Sequence, residues 1–187
     1  MQYPETMTLK DARARFFERE RLSPDGGYGA RWVRVETRPV PVYFPNTACR
    51  VKAAKLHDLH HVAMEYATDW PGEAEISAWE IAGGCGRYGW AWLLDLGAFT
   101  VGLVLAPRRV WRAFLRGRHS ANLYRGGFPE ERLSAVTVGE LRRRLRADAP
   151  LPEPRPSDAA AFAAWALGGV LWHGALALGG LAAAWWV

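Results

Sequence analysis

The stretch "AAKLHDLHHVAMEYATDWPGEAEISAWEIA", residues 53–82, decides both the fold and the chemistry. Helix formers run from Ala53 to Ala67, and Trp70-Pro71-Gly72 breaks the run. Pro71 suits the first position of a new helix, which continues to Gly83 and Gly84. Three of the chain's five histidines lie in the first helix, within five residues. His57 and His61 are four apart, so their side chains share one helix face. Asp58 is one step around that helix. Glu73 falls in the first turn of the next helix, where an acid also complements the helix dipole. If the two helices fold back antiparallel, Glu73 meets the histidine pair. Two imidazoles and two carboxylates suit a divalent metal: zinc, iron, manganese or cobalt. His60 points roughly 60–100° away and is expected behind the pair or on the surface. Glu65, four residues after His61, is a rival carboxylate. The competing reading is a polar helix edge making ordinary caps and hydrogen bonds.

The same reading extends outward to a mainly α chain. "TLKDARARFFERERL" begins with Thr8 as N-cap and Asp11 in the capping-box place, and Gly26 and Gly27 close it. "RWVRVETRPVPVYFPNTA" carries β-branched residues and three prolines, which fits a short extended excursion or a loop. "RRVWRAFLRGRHSANLY" and "TVGELRRRLRA" are further helices, the second with Thr137 as N-cap and Glu140 three residues on. There is no Gly-rich phosphate loop and no internal repeat. Cys49 and Cys85 are too isolated for a disulfide framework or a thiolate metal site, which favours a reducing compartment.

The end of the chain is of another kind. Residues 159–187, "AAAFAAWALGGVLWHGALALGGLAAAWWV", contain no formal charge. As a helix they would run about 44 Å, beyond the ~30 Å hydrocarbon core of a bilayer. Ser157 or Asp158 offers a cap, and Trp185 and Trp186 suit a headgroup level. The expected organisation is a helical domain at 1–150, a Pro-rich linker at 151–158 and a single transmembrane anchor at 159–187. Gly168, Gly169, Gly174, Gly179 and Gly180 give the anchor a small-residue side for a partner helix. His173, within the anchor, is a candidate membrane ligand; the plainer reading is a neutral imidazole hydrogen-bonded to a neighbouring helix. Residues 88–107, "YGWAWLLDLGAFTVGLVLAP", are apolar but interrupted by Asp95. They read as a helix in or against the membrane, lining a lipid groove with Trp90 and Trp92, or as a core helix of the domain, with a second membrane span as the remaining alternative.

Charge is uneven. From Arg108 to Arg146 there are eleven arginines against three glutamates, a net of +8, so the rest of this +5 chain carries −3. A basic block beside an anchor reads as cytoplasmic by the positive-inside rule. That places the protein in the inner, cytoplasmic membrane with its main domain on the cytoplasmic side. Without a recognisable nucleic-acid module the block fits lipid headgroups better than nucleic acid. The excess of Arg over Lys, 21 to 3, suits a GC-rich bacterial genome.

The pattern His57-Asp58-x-x-His61-x11-Glu73 resembles the signature of the coenzyme Q biosynthesis family called Coq-four. "DGGY", "FPNTACRVKAAKLHDLHHV", "GEAEISAWEIA" and "AFLRGRHSANLY…GELRRRL" are similar to that family in order and spacing, over roughly residues 10–146. After His-Val the family commonly runs Leu-Thr-Gly, where this chain has Ala63, Met64 and Glu65. The resemblance implies a mainly helical, membrane-associated domain that binds a polyprenyl lipid and works with other proteins of the ubiquinone pathway. It implies His57, Asp58, His61 and Glu73 as metal positions, Arg116 and Arg118 near lipid or the membrane surface, and oxidative decarboxylation of a polyprenyl-benzoate precursor. The alternative is a non-catalytic lipid-presenting scaffold, or an accessory subunit of a membrane quinone or pigment–protein complex.

Overall fold

The computed structural model describes residues 2–36 and 41–185, with side-chain surroundings up to residue 178. Its elements are α1 (Leu9–Arg19), β1 (Trp32–Val35), β2 (Val42–Pro45), α2 (Ala48–Met64), α3 (Trp70–Gly83), α4 (Gly89–Leu105), α5 (Pro107–Arg118), α6 (Leu123–Gly126), α7 (Val138–Leu145) and α8 (Pro156–Trp185). The protein is mainly helical. The extended excursion is one antiparallel hairpin, with Trp32 opposite Pro45 and Val35 opposite Val42.

Helix starts follow side-chain capping. Thr8, Thr47 and Asp69 accept the backbone N–H groups of Asp11, Arg50 and Gly72, opening α1, α2 and α3. Thr137 and Glu140 form a complete capping box on α7. Asp69 and Pro71 thus set the break between α2 and α3.

α3 is the central element. Ile76, Trp79 and Ile81 are buried, and α4 and α5 pack against it. Burying each such side chain contributes roughly 1.5–3 kcal/mol. Close approach depends on glycine at two points. A Cβ on Gly117 of α5 would lie 2.2 Å from the Trp79 carbonyl oxygen, and one on Gly102 of α4 would lie 2.3 Å from Ala74 Cβ. The far end of α2 is tied down by Arg142 of α7, whose guanidinium donates to the Ala63 carbonyl at 2.5 Å and pairs with Asp148.

Residues 88–107 resolve into a core helix. α4 buries Ala91, Asp95, Phe99 and Gly102, and its 17 residues rise about 25 Å, less than the ~30 Å span of a hydrocarbon core. Its outer row, Leu93, Val101, Val104 and Leu105, is exposed.

α8 is long and apolar enough to cross a membrane over Pro156–Leu178. It starts at Pro156, inside the expected linker, and Asp158 reaches back to accept the Arg155 N–H at 3.0 Å. Its first turns belong to the domain. Phe162 packs on Phe99, Phe114 and Trp111, and Trp92 stacks on Trp165 at 5.3 Å. Arg118 bonds the buried Asp158 at 3.1 Å. Gly169 sits against Thr100 of α4, so part of the small-residue side packs within the chain. The expectations for Gly179, Gly180, Trp185 and Trp186 fall outside the described residues.

Candidate metal centre

α2 and α3 bring His57, His61 and Glu73 together as their spacing predicts. The two Nε2 atoms are 3.1 Å apart. Glu73 Oε2 lies 3.5 Å from His57 Nε2, and Oε1 lies 3.4 Å from His61 Nε2. A tetrahedron with metal–ligand bonds of about 2.1 Å has edges of about 3.4 Å. The observed separations are close to that edge length, with the two Glu73 contacts made by different carboxylate oxygens. Glu73 is 32% exposed, so one edge of the cluster reaches solvent.

The opposite edges of the rings fix their tautomers. His61 Nδ1 lies 3.0 Å from the Tyr66 carbonyl oxygen, which can only accept, so that nitrogen carries the proton. His57 Nδ1 lies 3.0 and 3.1 Å from the two oxygens of Glu80 and donates in the same way. Both Nε2 atoms then present lone pairs to each other at hydrogen-bond distance. That arrangement is repulsive unless a cation or an added proton lies between them. Burial opposes charge on His57, yet Glu80 and then Glu73 raise its pKa well above the ordinary imidazole value. Burial pushes Glu73 the other way, but His61 and His57 outweigh it and hold its carboxyl at about 2. Both shifts express the mutual attraction of imidazole and carboxylate within the cluster. An imidazole that donates its far N–H to a carboxylate is the usual support of a metal ligand.

Glu80, which the sequence reading did not single out, organises the interior of the site. Fully buried, it also accepts from His60 Nδ1 at 2.5 Å and lies 3.4 Å from the Tyr124 hydroxyl. Burial alone would raise its pKa; the flanking imidazoles hold it below the usual carboxylate range. His60 accepts the Leu123 N–H on Nε2 at 2.9 Å, so both of its nitrogens are committed and the ring is neutral. It is buried rather than on the surface, and it joins α2 to α6. Beyond Glu80, Asp95 is pushed well above the carboxylate range by burial and by Glu80's charge, and it lies 3.2 Å from Cys85 Sγ. His57, Glu80 and Asp95 also lie close enough together for a second metal-like grouping. Glu80 was legible only as an acid seven residues after Glu73, two helical turns on along the same face.

Asp58 is not brought to the pair. Its carboxylate accepts from the Tyr28 hydroxyl, because one residue along the helix turns it about 100° from His57. Glu65 is no rival either. It caps α2 in the left-handed region at φ 58°, where the resembled family places glycine, and accepts the Gln2 N–H at 2.6 Å. Phe16 stacks on His61 at 5.5 Å and closes the buried side of the site.

The residues expected at lipid have protein partners. Trp90 stacks on Phe44 of the hairpin at 5.4 Å, and Trp92 lies on Trp165. Arg116 donates to the carbonyls of Ala147 and Ala149, and Arg118 to Asp158. His173 bonds the Gly169 carbonyl at 2.8 Å, in its own helix rather than a neighbouring one.

No family model, curated protein or solved structure matches this chain.

Proposed function

We propose that the protein is a membrane-anchored metalloenzyme with a mononuclear centre held by His57, His61 and Glu73. The observation that carries this reading is the pair of facing Nε2 lone pairs, each imposed by an acceptor on the far side of its ring. Two histidines and one carboxylate with open positions form the ligand set of non-haem iron(II) oxygenases, and equally of open zinc sites. A metal there would act as a Lewis acid or bring oxygen to a bound substrate. Of the four positions carried by the Coq-four resemblance, three converge, which supports that family's substrate class: a polyprenyl-benzoate precursor of ubiquinone, decarboxylated oxidatively. The anchor α8 supports work at a membrane, and the arginine block supports a cytoplasmic-side domain on the inner membrane.

The scaffold reading draws on one observation. Leu167, Val170, Leu171, Trp172, Leu176 and Leu178 of α8 are exposed and fit a membrane partner as well as lipid. Elemental analysis of the detergent-purified chain, beside His61→Ala and Glu73→Gln, tests the centre. One equivalent of metal in the parent and a loss in both variants is expected. Equal content in all three removes the metal. Mass spectrometry of co-purified lipid tests the substrate class: a polyprenylated aromatic acid supports it, and its absence together with unimpaired pathway function in His61→Ala favours the scaffold.

A further inference from the structure

A cavity of about 280 Å³ lies between α3, α5 and the segment after α7. Met64, Tyr66, Glu75, Arg109, Arg112 and Arg116 form most of its wall. The three arginines occur at spacings of three and four on α5, so a single helix face presents all three guanidinium groups. Glu75 is the one acid in the lining, and it engages Arg109 at 2.5 Å. Arg116 is fixed by the Ala147 and Ala149 carbonyls at 2.8 and 3.1 Å, neutral acceptors that orient the guanidinium without cancelling its charge. Arg112 is exposed and forms no ion pair among the described residues. The pocket thus holds three positive charges against one negative.

We propose that this pocket binds a phosphate group in its dianionic form. The net lining charge of two matches a phosphate monoester, which carries about −1.5 to −2 at neutral pH. Planar guanidinium forks suit phosphate oxygens bidentately, and a pre-oriented Arg116 beside an uncommitted Arg112 offers two of them. Tyr66 adds a phenol to the wall. The same residue's carbonyl holds the His61 ring, so an occupant touching Tyr66 bears on the orientation of a metal-centre ligand. Neither apolar helix, α4 or α8, contributes to the lining. The site therefore stands whether or not the metal reading does.

The phosphate could be a soluble monoester or the headgroup of an anionic lipid. Calorimetric titration of the full chain in detergent with inorganic phosphate, glycerol 3-phosphate and dihexanoyl phosphatidic acid separates them. Equal affinity for the last two identifies a soluble ligand, and tighter binding of the short-chain lipid identifies a headgroup. Arg112→Gln is expected to weaken binding tenfold or more, the loss of a charge-assisted hydrogen bond, and Arg112→Glu to abolish it. Arg143→Gln, an exposed arginine on α7 outside the lining, is expected to leave it unchanged. Unaltered melting temperatures show that the variants fold. Equal losses in Arg143→Gln and Arg112→Gln, or no binding of any of the three anions up to about 10 mM, overturn the proposal.

Discussion

Glu80 is the position at which the proposed metal centre and the core are one structure, and Glu80→Gln separates the two effects by size. The side chain is fully buried and takes hydrogen bonds from both His57 and His60. Gln keeps the shape but removes the charge, and its amide can present an acceptor to only one ring at full strength. Removing one partner of a buried charged cluster costs about 3–5 kcal/mol. In a chain of this length each kcal/mol shifts the melting temperature by about 2–4 °C, so a fall of roughly 6–20 °C is expected. Loss of the carboxylate behind His57 is also expected to weaken metal binding about 10- to 100-fold. Glu73→Gln gives the contrasting signature. Its side chain is part-exposed, so metal affinity falls while the metal-free melting temperature drops by less than in Glu80→Gln, through loss of the favourable contacts with His61 and His57. The assay is thermal melting followed by circular dichroism in detergent, with and without zinc, cobalt and iron(II) under anaerobic conditions. A Glu80→Gln protein that melts within about 2 °C of the parent and binds metal equally well would refute the reasoning.

Three further outcomes follow from the same geometry. In metal-free protein the raised His57 pKa stabilises the fold below about pH 6.5, and that contribution is lost as pH climbs through the raised value. Glu73, depressed to about 2, contributes above about pH 4.3 and loses that as pH falls toward 2. Metal-free stability is therefore greatest between about pH 4.3 and 6.5, and a melting series that rises steadily to pH 9 contradicts the assignment. Bound metal reverses the alkaline arm, because it replaces the proton between the imidazoles. The melting shift given by zinc should therefore grow from about pH 5 to pH 7.5, and a shift independent of pH places the metal elsewhere. Gly117→Ala drives a methyl into the Trp79 carbonyl and is expected to cost about 1–3 kcal/mol by overpacking, read as a lower urea midpoint; an unchanged midpoint shows that α5 can step away from α3.

Two helix starts were legible because their signals are local: Thr8 and Thr137 cap by hydrogen bonds within three residues. Thr47 and Asp69 cap in the same way but were not read as caps, and α2 begins at Ala48, five residues before the expected Ala53. Pairing of His57 with His61 was legible for the same reason: a spacing of four on one helix leaves no other geometry. That the C-terminal helix is long and apolar enough to cross a membrane was legible from length and lack of charge alone.

Other features depended on distance in sequence. Asp58 belongs to the motif by position, yet Tyr28, thirty residues earlier, takes its carboxylate. Glu80 reads as one more acid in α3 until α2 lies across it and two imidazoles close on it. Residues 88–107 carry a membrane-like composition, and it is α3 packing against α4 near Asp95, with Phe114 and Phe162 on Phe99, that makes them a core helix. Arg116 and Arg118, two residues apart on α5, went to different neighbours for the same reason: one to the segment after α7, the other to the start of α8.

The sequence reading began α2 at Ala53 rather than Ala48 and ran α5 and α6 together as one helix. By itself the sequence determined that the chain is mainly helical and that two imidazoles and a following acid share reach of one point. Those are properties of spacing and capping, settled within a few residues by backbone geometry. Only the tertiary structure decided which charged groups converge on one point, which stand behind them and which fasten helices together. A carboxylate's role depends on what desolvates it and what donates to it, and those neighbours come from elements far away along the chain.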